Sequence, residues 1–327
     1  MVDRLEPCRE PPASLLSFVN RYFTLKRRIT NPEPVDNHTL LSKPLSRARP
    51  IGYMHIPKTG GTTFTNQMLN SLGQSRSRVV LDEHFFPDEV NLYEIAPNKL
   101  ACISPFGPLS GDERIVSGHI SLSTFLAALP NVQLVTILRE PVCRLLSNWV
   151  YLRTFAEDNF RGWSDEWERR SRLLLGSFKT FLADPRNFPL VDNLALRMLL
   201  RPHRLITAGP IEEQHDELLF AEALGRLWEF HFVDFLENPQ LNINFAKWIG
   251  DAPIQVVLNK TGKVAEHLKV RLEAELTPEV FELLKSRTRL DLRLWEFVVQ
   301  TRLAQSGPGS IRFRTIRRTV RNYTALM

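Results

Sequence analysis

The run Tyr53-Met54-His55-Ile56-Pro57-Lys58-Thr59-Gly60-Gly61-Thr62-Thr63-Phe64 constrains the fold more than any other part of the chain. A short apolar, β-leaning segment, Ile51 to Ile56, enters a Lys-Thr-Gly-Gly-Thr-Thr loop. A helical pattern follows, with Phe64, Met68 and Leu72 on one face. Strand, glycine loop and helix N-terminus together suit an anion, because the first N–H groups of a helix lack intrahelical partners and the helix dipole is positive there. Gly60 and Gly61 permit close backbone approach. Lys58 contributes a full charge, and Thr59, Thr62 and Thr63 contribute hydroxyl donors. The loop is not a Walker A loop, in which the lysine follows the last glycine. Here the lysine precedes the glycines and stands at the loop entrance, where a leaving group departs.

A second segment has the same logic. Leu134-Val135-Thr136-Ile137-Leu138 has the apolar character of a buried parallel strand, and Arg139-Glu140-Pro141 opens a helix with proline in its first turn. Val142, Leu145, Leu146, Trp149 and Val150 take the spacing of a core-facing stripe, which turns Arg144, Ser147 and Tyr151 toward solvent or a ligand. Residues 211–228 read as a helix and Phe230–Phe235 as a strand. Pro239–Ile249 and Pro278–Ala304 read as helices, the latter capped by Thr277. Alternating strands and helices predict an α/β fold, a doubly wound parallel sheet flanked by helices. Anions bind at the carboxyl ends of such strands, and Lys58 and Arg139 each follow one.

Composition narrows the partners. The 327 residues suffice for one large α/β domain or two small ones, and 43% hydrophobic with 24% charged residues is ordinary for a globular chain. A net charge of +6 favours anionic ligands, but the arginines are scattered and no nucleic-acid motif is present, so no nucleic-acid partner is expected. Cys8, Cys102 and Cys143 are too few for a disulfide framework and spaced for no zinc site, so no metal is expected. No apolar run is long enough to span a bilayer. Residues 1–50 read as a proline- and arginine-rich N-terminal extension with one short helix near Ser14–Leu25, and residues 51–303 as the domain. Residues 304–327 read as a basic C-terminal tail carrying Arg312, Arg314, Arg317, Arg318 and Arg321 without an acid. Such a tail is a solvated terminus, or a weak contact for an anionic glycan or membrane surface.

Taken together, the two segments resemble the carbohydrate sulfotransferases that use 3′-phosphoadenosine 5′-phosphosulfate (PAPS). His55 to Phe64 is similar to their P-loop-like 5′-phosphosulfate loop. Leu138-Arg139-Glu140-Pro141-Val142-Cys143-Arg144-Leu145-Leu146-Ser147-Asn148-Trp149 is similar to their 3′-phosphate segment, in which an arginine ends a strand and a serine eight positions on lies on the next helix. The heparan sulfate 6-O- and 2-O-sulfotransferases and bacterial proteins of that group are the nearest in pattern. Fainter echoes are Asp192 to Leu199, Phe230–Phe235 with Leu236-Glu237, and Asn259-Lys260-Thr261-Gly262-Lys263, the last resembling a loop that closes over the nucleotide. The likeness spans about residues 51–300. It implies sulfuryl transfer from PAPS, leaving PAP, to a hydroxyl of a carbohydrate or glycoconjugate. Animal relatives carry a membrane anchor and disulfides that this sequence lacks, which points to a bacterial, cytoplasmic enzyme whose acceptor need not be heparan sulfate.

Transfer requires charge stabilisation on the leaving phosphate oxygen, removal of the acceptor proton, and in-line placement. Lys58 suits the first task. Among eight histidines, His119 in Ile115-Val116-Ser117-Gly118-His119 suits the second: it follows a short apolar run and resembles the Gly-His element of the 2-O-sulfotransferases. His84 is the rival, and His55 reads as a strand residue with a structural role. Arg139 and Ser147 are expected on the 3′-phosphate, with Arg197, Thr261 and Lys263 as further nucleotide contacts. Two alternatives stand beside this expectation. One is a P-loop-type nucleoside or small-molecule kinase, disfavoured because Leu134–Leu138 leads into arginine rather than a magnesium-holding acid. The other is a nucleotide- or glycan-binding protein without turnover.

Overall fold

The computed structural model describes residues 41–73, 77–81, 113–154, 172, 175–252, 262–303 and 307–327. Among them, five strands form one parallel sheet: β1 (Ile51–Met54), β2 (Ser77–Leu81), β3 (Ile115–His119), β4 (Gln133–Leu138) and β5 (Phe232–Phe235), in the order β2-β3-β1-β4-β5. The helices are α1 (Gly61–Leu72), α2 (Leu122–Ala128), α3 (Pro141–Leu152), α4 (Phe178–Ala183), α5 (Phe188–Val191), α6 (Leu194–Leu200), α7 (Asp216–Leu227), α8 (Leu241–Ile249), α9 (Leu272–Glu275), α10 (Pro278–Arg302) and α11 (Pro308–Thr324). The fold is therefore α/β with an all-parallel sheet between helices, compatible with double winding.

The period-two alternation of the strands divides the core. Ile51 and Tyr53 of β1 and Val135 and Ile137 of β4 pack with Phe64 and Met68 of α1 and Leu241 and Phe245 of α8. Met54, Leu134 and Leu138 turn to the opposite face, against Phe125 of α2, Leu196 of α6, Leu219 of α7 and Leu294 and Trp295 of α10. All six residues of β4 are buried, which is why its sequence is a near-continuous apolar run rather than an alternating one.

Element positions follow the sequence reading with shifted ends. β1 stops at Met54, before the turn that Pro57 and Thr59 build, and β5 starts at Phe232 because the Phe230 N–H still closes a turn onto Leu227. Thr277 caps α10 by accepting from the Val280 N–H at 3.4 Å. The second face of helix α3, expected to meet solvent or a ligand, is not left to solvent: Ser147 is buried where it meets Tyr323 of α11, and Arg144 is buried near Asp291 of α10. Among the described residues the three guanidinium nitrogens of Arg144 have no hydrogen-bond partner, and burial lowers its pKa to about 10, with nearby Asp291 opposing that shift.

Both predicted domain boundaries move outward. Leu41 is fully buried in the core, and its carbonyl accepts from Arg302 Nη2 at 2.6 Å. Ser42 bridges Phe232 in antiparallel fashion, and the Lys43 carbonyl accepts from Trp248 Nε1 at 2.9 Å. Residues 41–50 thus belong to the folded unit at the β5 edge; the helix expected near Ser14–Leu25 lies outside the described residues. The presumed basic tail is α11, whose Ile311, Ile316, Val320 and Tyr323 are buried, two of them against Val142, Leu146 and Phe281. Among the described residues no helix is long and apolar enough to cross a membrane.

Candidate active site

The centre of the sheet order is β3-β1-β4, and these three neighbours deliver His119, Lys58 and Arg139 at one end of the sheet. A cavity of about 530 Å³ opens there, lined by His55, Lys58, Gly60 to Thr63, His119, Arg139 and Ser147, and closed on its other sides by Asn148, Tyr151, Asn238, Asn242 and Tyr323. Its place beyond the carboxyl ends, beside the strand from which the connections diverge, is where open α/β sheets bind ligands.

The loop after β1 is wound tightly. Lys58 (φ 69°) and Gly60 (φ 82°) both occupy the left-handed region, and the Thr63 N–H closes onto the Gly60 carbonyl at 3.0 Å. A side chain cannot replace the hydrogen of Gly61: a Cβ there would stand 2.0 Å from the His55 ring. The glycine pair therefore serves two ends, conformation at Gly60 and histidine packing at Gly61. Thr59, expected to face the ligand, instead is wholly buried and donates its hydroxyl to the Ile56 carbonyl at 2.8 Å. It holds the loop rather than lining the cavity.

Lys58 extends its ammonium over the Tyr151 ring, 3.5 Å from the centroid. Burial, and then the neighbouring Arg139 charge, lower its pKa to about 8. Arg139 is tied to the same loop, its Nη1 donating to the Lys58 carbonyl at 2.9 Å. Burial alone would weaken the guanidinium, but Tyr323, Cys143 and Glu237 hold it firmly protonated. Glu237 is itself fixed: its carboxylate accepts from the Glu140 N–H and from Trp295 Nε1, each at 3.1 Å. Burial raises the Glu237 pKa, and Arg139 opposes the rise.

His119 places Nδ1 2.7 Å from the His55 carbonyl. A carbonyl only accepts, so Nδ1 carries the proton and the neutral ring keeps its lone pair on Nε2. The His55 ring lies against it, centroids 4.6 Å apart. Burial lowers the His119 pKa, the bond to the His55 carbonyl resists, and the Lys58 charge adds to the lowering. His55 is pushed well below the histidine range by burial, by His119 and by Lys58. Both imidazoles are neutral at neutral pH.

The cavity thus unites Lys58, Gly60, Gly61, Thr62, Thr63, His119, Arg139 and Ser147, drawn from segments about eighty residues apart. Arg197 is not among them. It has no exposed surface and spends its fork on Asp192 Oδ2 (2.6 Å) and on the Asp192, Thr207 and Gly209 carbonyls (2.6, 2.7 and 2.6 Å). Its segment is a structural joint: Asn193 Oδ1 accepts from the Leu290 N–H, and Asp291 accepts from the Ala195 and Leu196 N–H groups. Lys263 is exposed and does not line the cavity; Thr261 and His84 lie outside the described residues. Sequence reasoning missed His55 as a cavity residue, and it missed Tyr323. The spacing Ile311, Ile316, Val320, Tyr323 was the available signal for the latter, masked by the arginines between.

Chemically, the site offers two cations, a glycine loop at a helix N-terminus, and one oriented neutral imidazole. Such a set suits transfer of a group between a phosphate-type leaving oxygen and a hydroxyl. Comparison with models of known protein families and with curated proteins finds no match.

Proposed function

We propose that the protein is a sulfotransferase that moves a sulfuryl group from PAPS to a hydroxyl of a carbohydrate or glycoconjugate. The observation that carries this is the convergence of Lys58, His119, Arg139 and Ser147 on one cavity at three adjacent strand ends. The donor set fits a molecule bearing an anion at each end: the P-loop-like turn and Lys58 for the 5′-phosphosulfate, Arg139 and Ser147 for the 3′-phosphate. PAPS supplies the activated sulfur–oxygen bond. His119 Nε2 takes the acceptor proton as the acceptor oxygen bonds to sulfur, and Lys58 neutralises the charge left on the phosphate oxygen when its bond to sulfur breaks.

Titration calorimetry with PAP in the presence of EDTA tests the donor half, with micromolar or tighter binding expected. Incubation with labelled PAPS and a panel of glycans, glycolipids and phenols tests transfer. Binding of ATP with magnesium but not of PAP would replace this function with a kinase.

A further inference from the structure

The last turn of α11 enters the anion pocket. Tyr323 is 7% exposed, lines the cavity, and donates its hydroxyl to Ser147 Oγ at 2.8 Å. Arg139 lines the same cavity as Tyr323 and Ser147. Tyr323 therefore holds one of the two residues assigned to the 3′-phosphate and shares the cavity wall with the other. The far end of α11 is anchored beside them: Arg312 Nε meets Glu140 Oε1 at 3.1 Å, and Glu140, next to Arg139, caps α3 by accepting from the Cys143 N–H at 2.7 Å.

The consequence lies in the serine proton. A helical serine left alone turns its hydroxyl back onto the carbonyl one turn earlier, where it is spent. Here Ser147 Oγ already accepts from Tyr323, and its own proton meets no acceptor among the described residues. With the Tyr323 O–H spent on the Ser147 oxygen, the donor left at this wall of the cavity is Ser147 O–H.

Resting on the donor site proposed above, we propose that Tyr323 is a positioning residue for a phosphate-monoester subsite. It fixes Ser147 as a donor to the 3′-phosphate and makes selectivity for a 3′-phosphorylated nucleotide depend on the C-terminal helix. Tyr323→Phe keeps the ring and removes the link. PAP affinity is expected to fall roughly 3- to 10-fold, the weight of one neutral hydrogen bond. Affinity for adenosine 5′-phosphosulfate, which lacks the 3′-phosphate, should change by less than about twofold on the same basis. Because Tyr323 acts through Ser147, the loss should vanish when Tyr323→Phe is made in a Ser147→Ala background. Equal losses for both nucleotides, or a loss that persists without Ser147, would overturn the positioning role and leave the donor site standing. Failure of the unsubstituted protein to bind PAP would overturn both. Retained binding of adenosine 5′-phosphosulfate shows at the same time that the variant is folded.

Discussion

Lys58 is the residue whose environment has the clearest consequence for rate. Its pKa of about 8 belongs to the free protein, so kcat/KM should fall as pH rises through 8 and the ammonium is lost. On the acid side kcat/KM should fall below the ordinary histidine range, because His119 is lowered and must be neutral to accept a proton. The alkaline limb of kcat should lie higher than that of kcat/KM, since a bound anion restores the lysine proton; coincident limbs would remove Lys58 from the donor contact. His119→Ala should cost about 10²–10⁴ in turnover with PAP affinity nearly intact, the weight of a positioned acid–base group. Stability gives an independent check on the lysine. Its folded pKa is depressed from 10.5 to about 8, so between those values the unfolded chain binds more protons and stability rises with pH. Lys58→Met should therefore be the more stable form below pH 8 and lose that advantage toward pH 10.5, as measured by denaturant unfolding across the range. The lysine and His119 were legible in the sequence because each follows an apolar strand at a glycine. The inward turn of Thr59 and the stacking of His55 were not, since the first follows a left-handed Lys58 and the second needs the bare Gly61, and no residue pattern announces either.

At the scale of elements, the link between the β1 loop and the β4–α3 junction governs what substitution of Arg139 will do. The guanidinium is assigned to the 3′-phosphate, yet it also donates to the Lys58 carbonyl. Arg139→Ala should weaken PAP by about 2–4 kcal/mol, the range for one partner of a buried charged pair. It should also weaken adenosine 5′-phosphosulfate, by about 0.5–1.5 kcal/mol, through the loosened loop. Calorimetry with the two nucleotides separates the contributions, and equal losses would deny Arg139 the 3′-phosphate. Element identities came readily from the sequence where local signals agreed. Pro141 opening α3, Thr277 capping α10 and the apolar run of β4 are cases in point. Helix α11 did not, because Arg314, Arg317 and Arg318 dominate its composition while its apolar positions are few. Only the facing surface of α3, itself buried on both sides, explains why those few positions suffice.

Across the whole molecule, both ends of the described chain are drawn into the folded unit: Leu41 at the β5 edge under Arg302, and α11 over α3. Long-range closure of this kind leaves at most a faint local signature, which is why both segments read as extensions. Cys143 offers a direct measure of α11 docking. It is buried, free and enclosed by Ile316, Thr319 and Val320 of α11, and burial pushes its thiol pKa well up. In a Cys8→Ser, Cys102→Ser background, a thiol reagent should label Cys143 only when α11 lifts or the domain unfolds. Ile316→Ala, which removes a buried side chain from that contact, should cost about 2–5 kcal/mol in stability and speed the labelling accordingly. Because Tyr323 joins α11 to the proposed donor pocket, PAP is expected to bind the docked helix in preference to the lifted one. At 100 times its dissociation constant it should slow labelling by about 100-fold, the mass-action limit for a ligand specific to one state. Sulfate at matched ionic strength serves as the control for general anion effects. Labelling of the double-serine protein, with Ile316 retained, at the rate of an unfolded thiol would show that α11 is not docked in solution. Labelling that PAP leaves unchanged would show that the helix packs on α3 without sensing the nucleotide.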